Sequence, residues 1–166
     1  SPNGEWNVAF ELNRVLLKKA NVSGMEIGSP EDFSKEVIDI YSSLLSVNPF
    51  TGTRLSYVMK GLLPEMTEAQ LIKANKLTVN LLPFYTEHPP HQWTTRSVTR
   101  VDVNLGNKTE TLNVITDINR IQGELVKDTG PLPIDRIQIG FDINTYQKNT
   151  DLRFEAKHVD LFLKEA

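Results

Sequence analysis

The sequence predicts an α+β domain in which helices pack on one face of a curved antiparallel sheet. Three observations predict it. Apolar residues recur at helical spacing through most of the first half of the chain, and they alternate with polar residues through nearly all of the second. The halves meet at Phe84-Tyr85-Thr86-Glu87-His88-Pro89-Pro90-His91-Gln92-Trp93 with no linker-like tract between them. Helices first and strands afterwards, without a linker, is the α+β pattern. Residues 1–166 therefore read as a single globular domain, with a helical half over about 29–77 and antiparallel strands over about 95–163.

Taken in order, Trp6, Val8, Phe10 and Leu12 alternate as a short strand, while Asn13 to Ala20 fits either a continued strand or a helical turn. Asn21 to Ser29, with Gly24 and Gly28, reads as loop. The first helix starts at Ser29. Ser29 can cap it, Pro30 fits the first helical position, and Glu31 and Asp32 complement the positive end of the dipole. Phe33, Val37, Ile40, Tyr41, Leu44 and Leu45 form its apolar stripe, and Pro49 and Gly52 end it.

Thr53 is the expected cap of a second helix with Leu55, Val58, Met59, Leu62 and Leu63 on one face, closed by Pro64. Thr67-Glu68-Ala69-Gln70 has the capping-box form and predicts a third helix to about Lys76, after which Leu77 to Phe84 reads as extended.

Four strands are expected after the break. Ser97, Thr99, Val101, Val103 and Leu105 share a parity, with a turn at Gly106-Asn107. Leu112, Val114, Thr116 and Ile118 continue the alternation, with Gly123 a candidate bulge, and Lys127 to Pro133 reads as loop. Ile137, Ile139, Phe141 and Ile143 alternate most cleanly. The last expected strand, Leu152 to Leu163, changes parity near Lys157-His158, which suggests a bulge.

Composition limits the function classes. At 166 residues, 39% hydrophobic and 23% charged, the chain can bury a self-sufficient core, about 70% of its unfolded surface. Without cysteine it has no disulfide, zinc-thiolate site or thiol nucleophile. Its net charge of -3 is well mixed, with no basic run to track a phosphate backbone, so nucleic-acid binding is not expected. No apolar run approaches the roughly 18 residues of a membrane span. The opening Ser1-Pro2-Asn3 lacks a methionine and reads as a processed or truncated start.

Candidate chemistry is sparse. Glu87, His88 and His91 are the only clustered metal-ligand types, but Pro89 and Pro90 hold the segment extended and no third-ligand motif follows. A rigid connecting loop is the simpler reading. His158 stands alone among charged neighbours and reads as a cross-strand partner rather than a base. Asp117, Asp135, Asp142 and Asp160 lie on or beside strands where a general base could line a concave sheet. Ion pairing with Arg100, Arg120, Arg136 and Arg153 is the favoured role, because no tyrosine-aspartate or histidine-aspartate spacing accompanies them. Trp6 and Trp93 read as core anchors, and the sequons at Asn21-Val22-Ser23 and Asn107-Lys108-Thr109 are of a kind that arises by chance. No catalytic, cofactor-binding or metal residue is assigned, and no cofactor is expected.

Four features carry a family resemblance: the extended opening Ser1-Pro2-Asn3 to Phe10; a helix closing in Ser43-Leu44-Leu45-Ser46-Val47-Asn48-Pro49; the segment Leu55 to Leu63 leading through Pro64-Glu65-Met66 into a polar helix; and strands from Arg96-Ser97-Val98 through Ile115-Thr116-Asp117 and Ile121-Gln122-Gly123. This order is similar to the cone-shaped, nuclear-transport-factor-two-like (cystatin-like) fold. Within that group it resembles the periplasmic domain of the TraE family of conjugative type IV secretion systems, relatives of the eighth VirB protein. The departures are Asp117, where such proteins often carry glycine, and the family's N-terminal membrane helix, which this chain does not contain.

The resemblance implies a non-enzymatic scaffold domain in the periplasm, part of an inner-membrane protein anchored by a helix upstream of Ser1. Such a domain would self-associate, as a dimer or higher oligomer, and contact other secretion-system proteins. It would fill its cone with side chains such as Leu44, Val101, Ile139 and Phe141. The competing reading is a small-ligand-binding protein or isomerase-like enzyme of the same fold, which requires an open apolar cavity holding a perturbed carboxylate or histidine.

Overall fold

The computed structural model describes residues 4–21, 27–79, 82–127 and 130–166. Along the chain run β1 (Glu5–Glu11), β2 (Arg14–Ala20), α1 (Pro30–Val47), β3 (Ser56–Leu62) and α2 (Glu68–Thr78), then α3 (Pro83–Glu87), β4 (Thr94–Leu105), β5 (Lys108–Lys127), β6 (Gly130–Thr145) and α4 (Ala156–Glu165). The described residues thus make an α+β fold of four helices and two antiparallel sheets. They group into two compact units, one of residues up to Thr53 with Asp151–Glu165, the other of Arg54–Thr150.

In the first unit β1 and β2 form a two-residue hairpin, registered from Glu5↔Ala20 to Glu11↔Arg14. Its Trp6 and Lys19 lie side by side on one face and meet α1. Trp6 stacks on Phe33 at 5.3 Å, and its Nε1 donates to Glu36 at 2.5 Å. The buried Lys19 ammonium reaches the other Glu36 oxygen at 2.8 Å. Those two donors, Lys19 first, hold the Glu36 carboxyl below its ordinary range. The start of α1 follows the sequence: Ser29 Oγ accepts from the Asp32 amide at 3.1 Å, and Pro30 stands in the first turn. The chain ends of this unit are tied by a bridge in which the Gly52 and Phe154 backbones exchange hydrogen bonds, with Arg153 Nη1 donating to the Thr53 carbonyl.

In the second unit the sheet order is β3-β6-β5-β4, all antiparallel. Hairpin β4–β5 turns at Gly106-Asn107. Gly106 has φ +74° and Asn107 does not share the sign, the pattern of a type II′ turn that only glycine enters freely at its first position. β5 and β6 outrun both neighbours, so beyond Asn119↔Gln138 they continue as a two-stranded arm to Lys127↔Gly130. Helix α2 covers one end of the sheet, burying Leu71 against Trp93 and Ile137, with Leu63, Met66, Ile118 and Ile139 packed around them. Its capping box closes as expected: Thr67 Oγ1 accepts from the Gln70 amide, and Gln70 Oε1 accepts from the Thr67 amide at 2.8 Å.

Several expectations need correction. The segment read as a second helix capped by Thr53 is strand β3, because β6 offers it a full antiparallel ladder from Asn144 to Gln138. Its Gly61 also weakens the helical alternative. The expected last strand, Leu152 to Leu163, is helix α4 after an isolated bridge at Phe154. The parity change read as a bulge is the helical spacing that buries His158, Val159 and Phe162 together. Leu77 to Phe84 is not one extended run: α2 reaches Thr78, and Pro83 starts the short α3, while residues 80–81 lie outside the described ones. No bulge forms at Gly123, which pairs with Ile134 in unbroken register. The expected loop from Lys127 to Pro133 is mostly strand. Pro131 and Pro133 are accommodated because β6 is an edge in the arm, where a missing amide proton breaks no ladder.

Candidate functional site

The sheet register sets out what one face of the second unit presents. Ser56, Asn144, Asn113 and Arg100 stand in one row across the four strands. Arg100 Nε donates to Asn113 Oδ1 at 3.2 Å, Asn113 Nδ2 to Asn144 Oδ1 at 3.1 Å, and Asn144 Nδ2 to Asp142 Oδ1 at 2.8 Å. The Arg100 guanidinium lies 4.6 Å over the Tyr146 ring, a cation–π arrangement. Four residues along β4, Arg96 grips both oxygens of Asp117 at 3.0 and 2.9 Å. The face is a network of satisfied amides and ions rather than an array of reactive groups.

At the base of the arm a second ionic cluster joins sheet to helix. The buried Arg120 donates to both oxygens of Asp135 at 2.8 and 2.7 Å and to both of Glu68 at 3.2 and 2.6 Å. Glu68 sits there because the Thr67 cap starts α2 one residue earlier. The Arg120 hydrogen bonds first, then that from Gln122, hold the Asp135 carboxyl down at about 2 against its usual 3.8. The same bonds push the guanidinium further up. A general base is tuned the other way, toward neutrality. Beside the cluster lies an open depression of about 200 Å³ lined by Glu65, Met66, Pro133, Ile134, Asp135 and Arg136. With Glu65, Asp135 and Arg136 in its lining, it is not the open apolar cavity that the ligand-binding reading requires.

The remaining candidates are dispersed. Asp142 also accepts from Ser56 at 3.5 Å, and Asp160 pairs with Lys164 one turn along α4. Of the four arginines expected to face carboxylates across strands, Arg120 does so. Arg136 instead donates to the Leu63 carbonyl at 2.6 Å, and Arg153 lies over the Phe154 ring. His158 is not a cross-strand partner. Buried in α4, its Nδ1 accepts from the Glu155 amide at 3.0 Å, which closes the start of that helix. His88 packs at 4.9 Å from the Phe84 ring, and the exposed His91 acts on Asp135 only through its charge. Among the described residues no group of three or more ligating side chains converges as a metal ion needs, and no helix is long and apolar enough to cross a membrane. Trp93 is the core anchor expected of it, whereas Trp6 is half-exposed. Asn107 of the second sequon lies on the β4–β5 turn, and the first sequon runs into residues outside the described ones.

The surface that sequence reading passed over is β4 itself. Among the described residues it has a partner strand on one side only, and its residues are exposed along most of twelve positions, Val98 at 57% and Val101 at 42%. Val101 therefore does not fill a cone interior. The signal was present: β-branched residues at both parities, Val98 beside Thr99 and Val101, mark a strand without a single apolar face. Protein-family models, curated proteins and solved structures give no match to the chain.

Proposed function

We propose that the chain is a non-enzymatic interaction domain of the cone-shaped, nuclear-transport-factor-two-like kind, which acts by associating with its own copies and with other proteins of a membrane-bound machine. The context that fits is the periplasmic side of a conjugative type IV secretion complex in the bacterial inner membrane, where TraE-like domains serve as scaffolds. The observation that supports the reading is how the reactive side chains are used. Asp117, Asp135, Asp142, Asp160 and His158 each hold a structural partner, while the long edge strand β4 stands open. An acid or base needs a free, tuned group beside a substrate cavity. An interaction domain needs a surface with unused hydrogen-bonding and apolar capacity.

Of the resemblance, the helix closing in Ser43 to Pro49, the polar helix α2 and the strands from Arg96 onward keep their order, whereas Leu55 to Leu63 contributes strand β3. Sedimentation velocity of the whole chain over a wide range of concentration tests the proposal. A reversible shift from monomer toward dimer is expected. A strict monomer at every concentration would contradict it.

A further inference from the structure

We propose that β4 is the self-association edge, pairing antiparallel with β4 of a second copy so that Val101 of each chain faces Val101 of the other across a two-fold axis; this rests on the self-association reading above.

The two edges of the four-stranded sheet differ. β3 is seven residues long and carries Lys60 and Gly61, the kinds of residue that discourage strand addition. β4 is twelve residues long, with no proline, glycine or bulge, and its register with β5 is unbroken from Thr94↔Asn119 to Leu105↔Lys108. An unprotected edge of this length is a template for another strand.

Charge then selects both partner and register. β4 carries three ionic side chains: Arg96, Arg100 and Asp102. Arg96 is held by Asp117. Arg100 has Asn113 and the Tyr146 ring, and Asp102 accepts from Thr111 Oγ1 at 2.7 Å. Neither Arg100 nor Asp102 has an oppositely charged partner among the described residues. Antiparallel pairing centred on Val101 places Arg100 of each copy opposite Asp102 of the other, so both charges are matched twice by one symmetric contact. The same register sets Thr99 against Val103 and Val98 against Asn104, and covers the exposed Val101. Centring on Thr99 instead would bring Asp102 to Arg96, which Asp117 already occupies, and leave Arg100 against Val98. The Val101 register is self-limiting as well. It joins two four-stranded sheets at their β4 edges and leaves the protected β3 edges at the two ends of the joined sheet.

Because the chain has no cysteine, a single introduced thiol reports this contact cleanly. Directly opposed residues of an antiparallel pair lie about 4.5–5.5 Å apart at Cα, within disulfide range. Val101→Cys should therefore give a covalent dimer on mild oxidation, while Val98→Cys, several residues from its own symmetry mate, should not. Asp102→Arg should weaken the dimer about tenfold or more, and Arg100→Asp combined with Asp102→Arg should restore it. A dimer that Asp102→Arg leaves unchanged, or equal cross-linking of Val98→Cys and Val101→Cys, would overturn the β4 contact while leaving self-association standing. A wild-type chain that stays monomeric throughout would overturn both.

Discussion

Arg120 and Asn75 show opposite ways of burying polarity in the second unit. Arg120 brings two carboxylates with it, so its removal leaves Glu68 and Asp135 facing each other without a cation. Arg120→Met is expected to cost about 2–4 kcal/mol, less than a fully buried pair because both carboxylates are partly solvated, as read from denaturant unfolding. Asp135 gives this cluster an acid signature. Its native carboxyl stays ionised down to about 2 while the unfolded one takes a proton near 3.8, so in that window the unfolded chain binds more protons. The stability it contributes is present above about pH 4 and is lost as pH falls toward 2; Asp135→Asn should flatten that part of an acid-unfolding profile. Asn75, by contrast, is buried in α2 with neither amide atom hydrogen-bonded among the described residues, and the Trp93 indole N–H has no partner among them either. Asn75→Leu should raise stability by about 1–2 kcal/mol, because it removes an unmet polar group at similar volume. A loss would mean that the amide has a polar partner such as a buried water. The Arg120–Asp135 pair was among the ion pairs the sequence favoured, whereas the Glu68 bonds and the burial of Asn75 were not legible, since a sequence shows charges but not which of them a fold sets face to face.

Among the elements, legibility followed the strength of local signals. α1 and α2 were readable because Ser29 and Thr67 supply caps that act within one turn, whatever the rest of the chain does. Thr67→Ala should accordingly cost about 1 kcal/mol in chemical denaturation. β5 and β6 were readable from alternation, although the arm beyond Asn119 was not, because Gly123, Pro131 and Pro133 are ordinarily breakers and are tolerated only where a strand edge is free. β3 and α4 were misread for a shared reason. Val58-Met59 and Leu62-Leu63 satisfy a helical stripe, and Phe154, Ala156, Leu161 and Leu163 satisfy a strand one, so short apolar runs fit either period. Tertiary partners decided both: β6 for β3, and for α4 the burial of Val159 and Phe162 one turn apart by three residues. The candidate site was less legible still. The aspartates and histidines stand out in the sequence as chemistry, whereas Arg100 and Asp102, on which the proposed β4 contact rests, lie on a plain strand.

For the molecule as a whole, two compact units share a chain in which Asp117, Asp135, Asp142, Asp160 and His158 each hold a structural partner and, among the described residues, the β4 edge is left open. On the reading proposed above, such a protein acts by binding, with its own copy across β4 as the partner. Hydrogen exchange at the β4 amides, compared between dilute and concentrated solutions of the whole chain, tests this most directly. Alternate amides within 97–105, those not already bonded to β5, are expected to slow as concentration rises while the amides of β3 stay unchanged. Equal exchange across β4 at both concentrations would contradict the account.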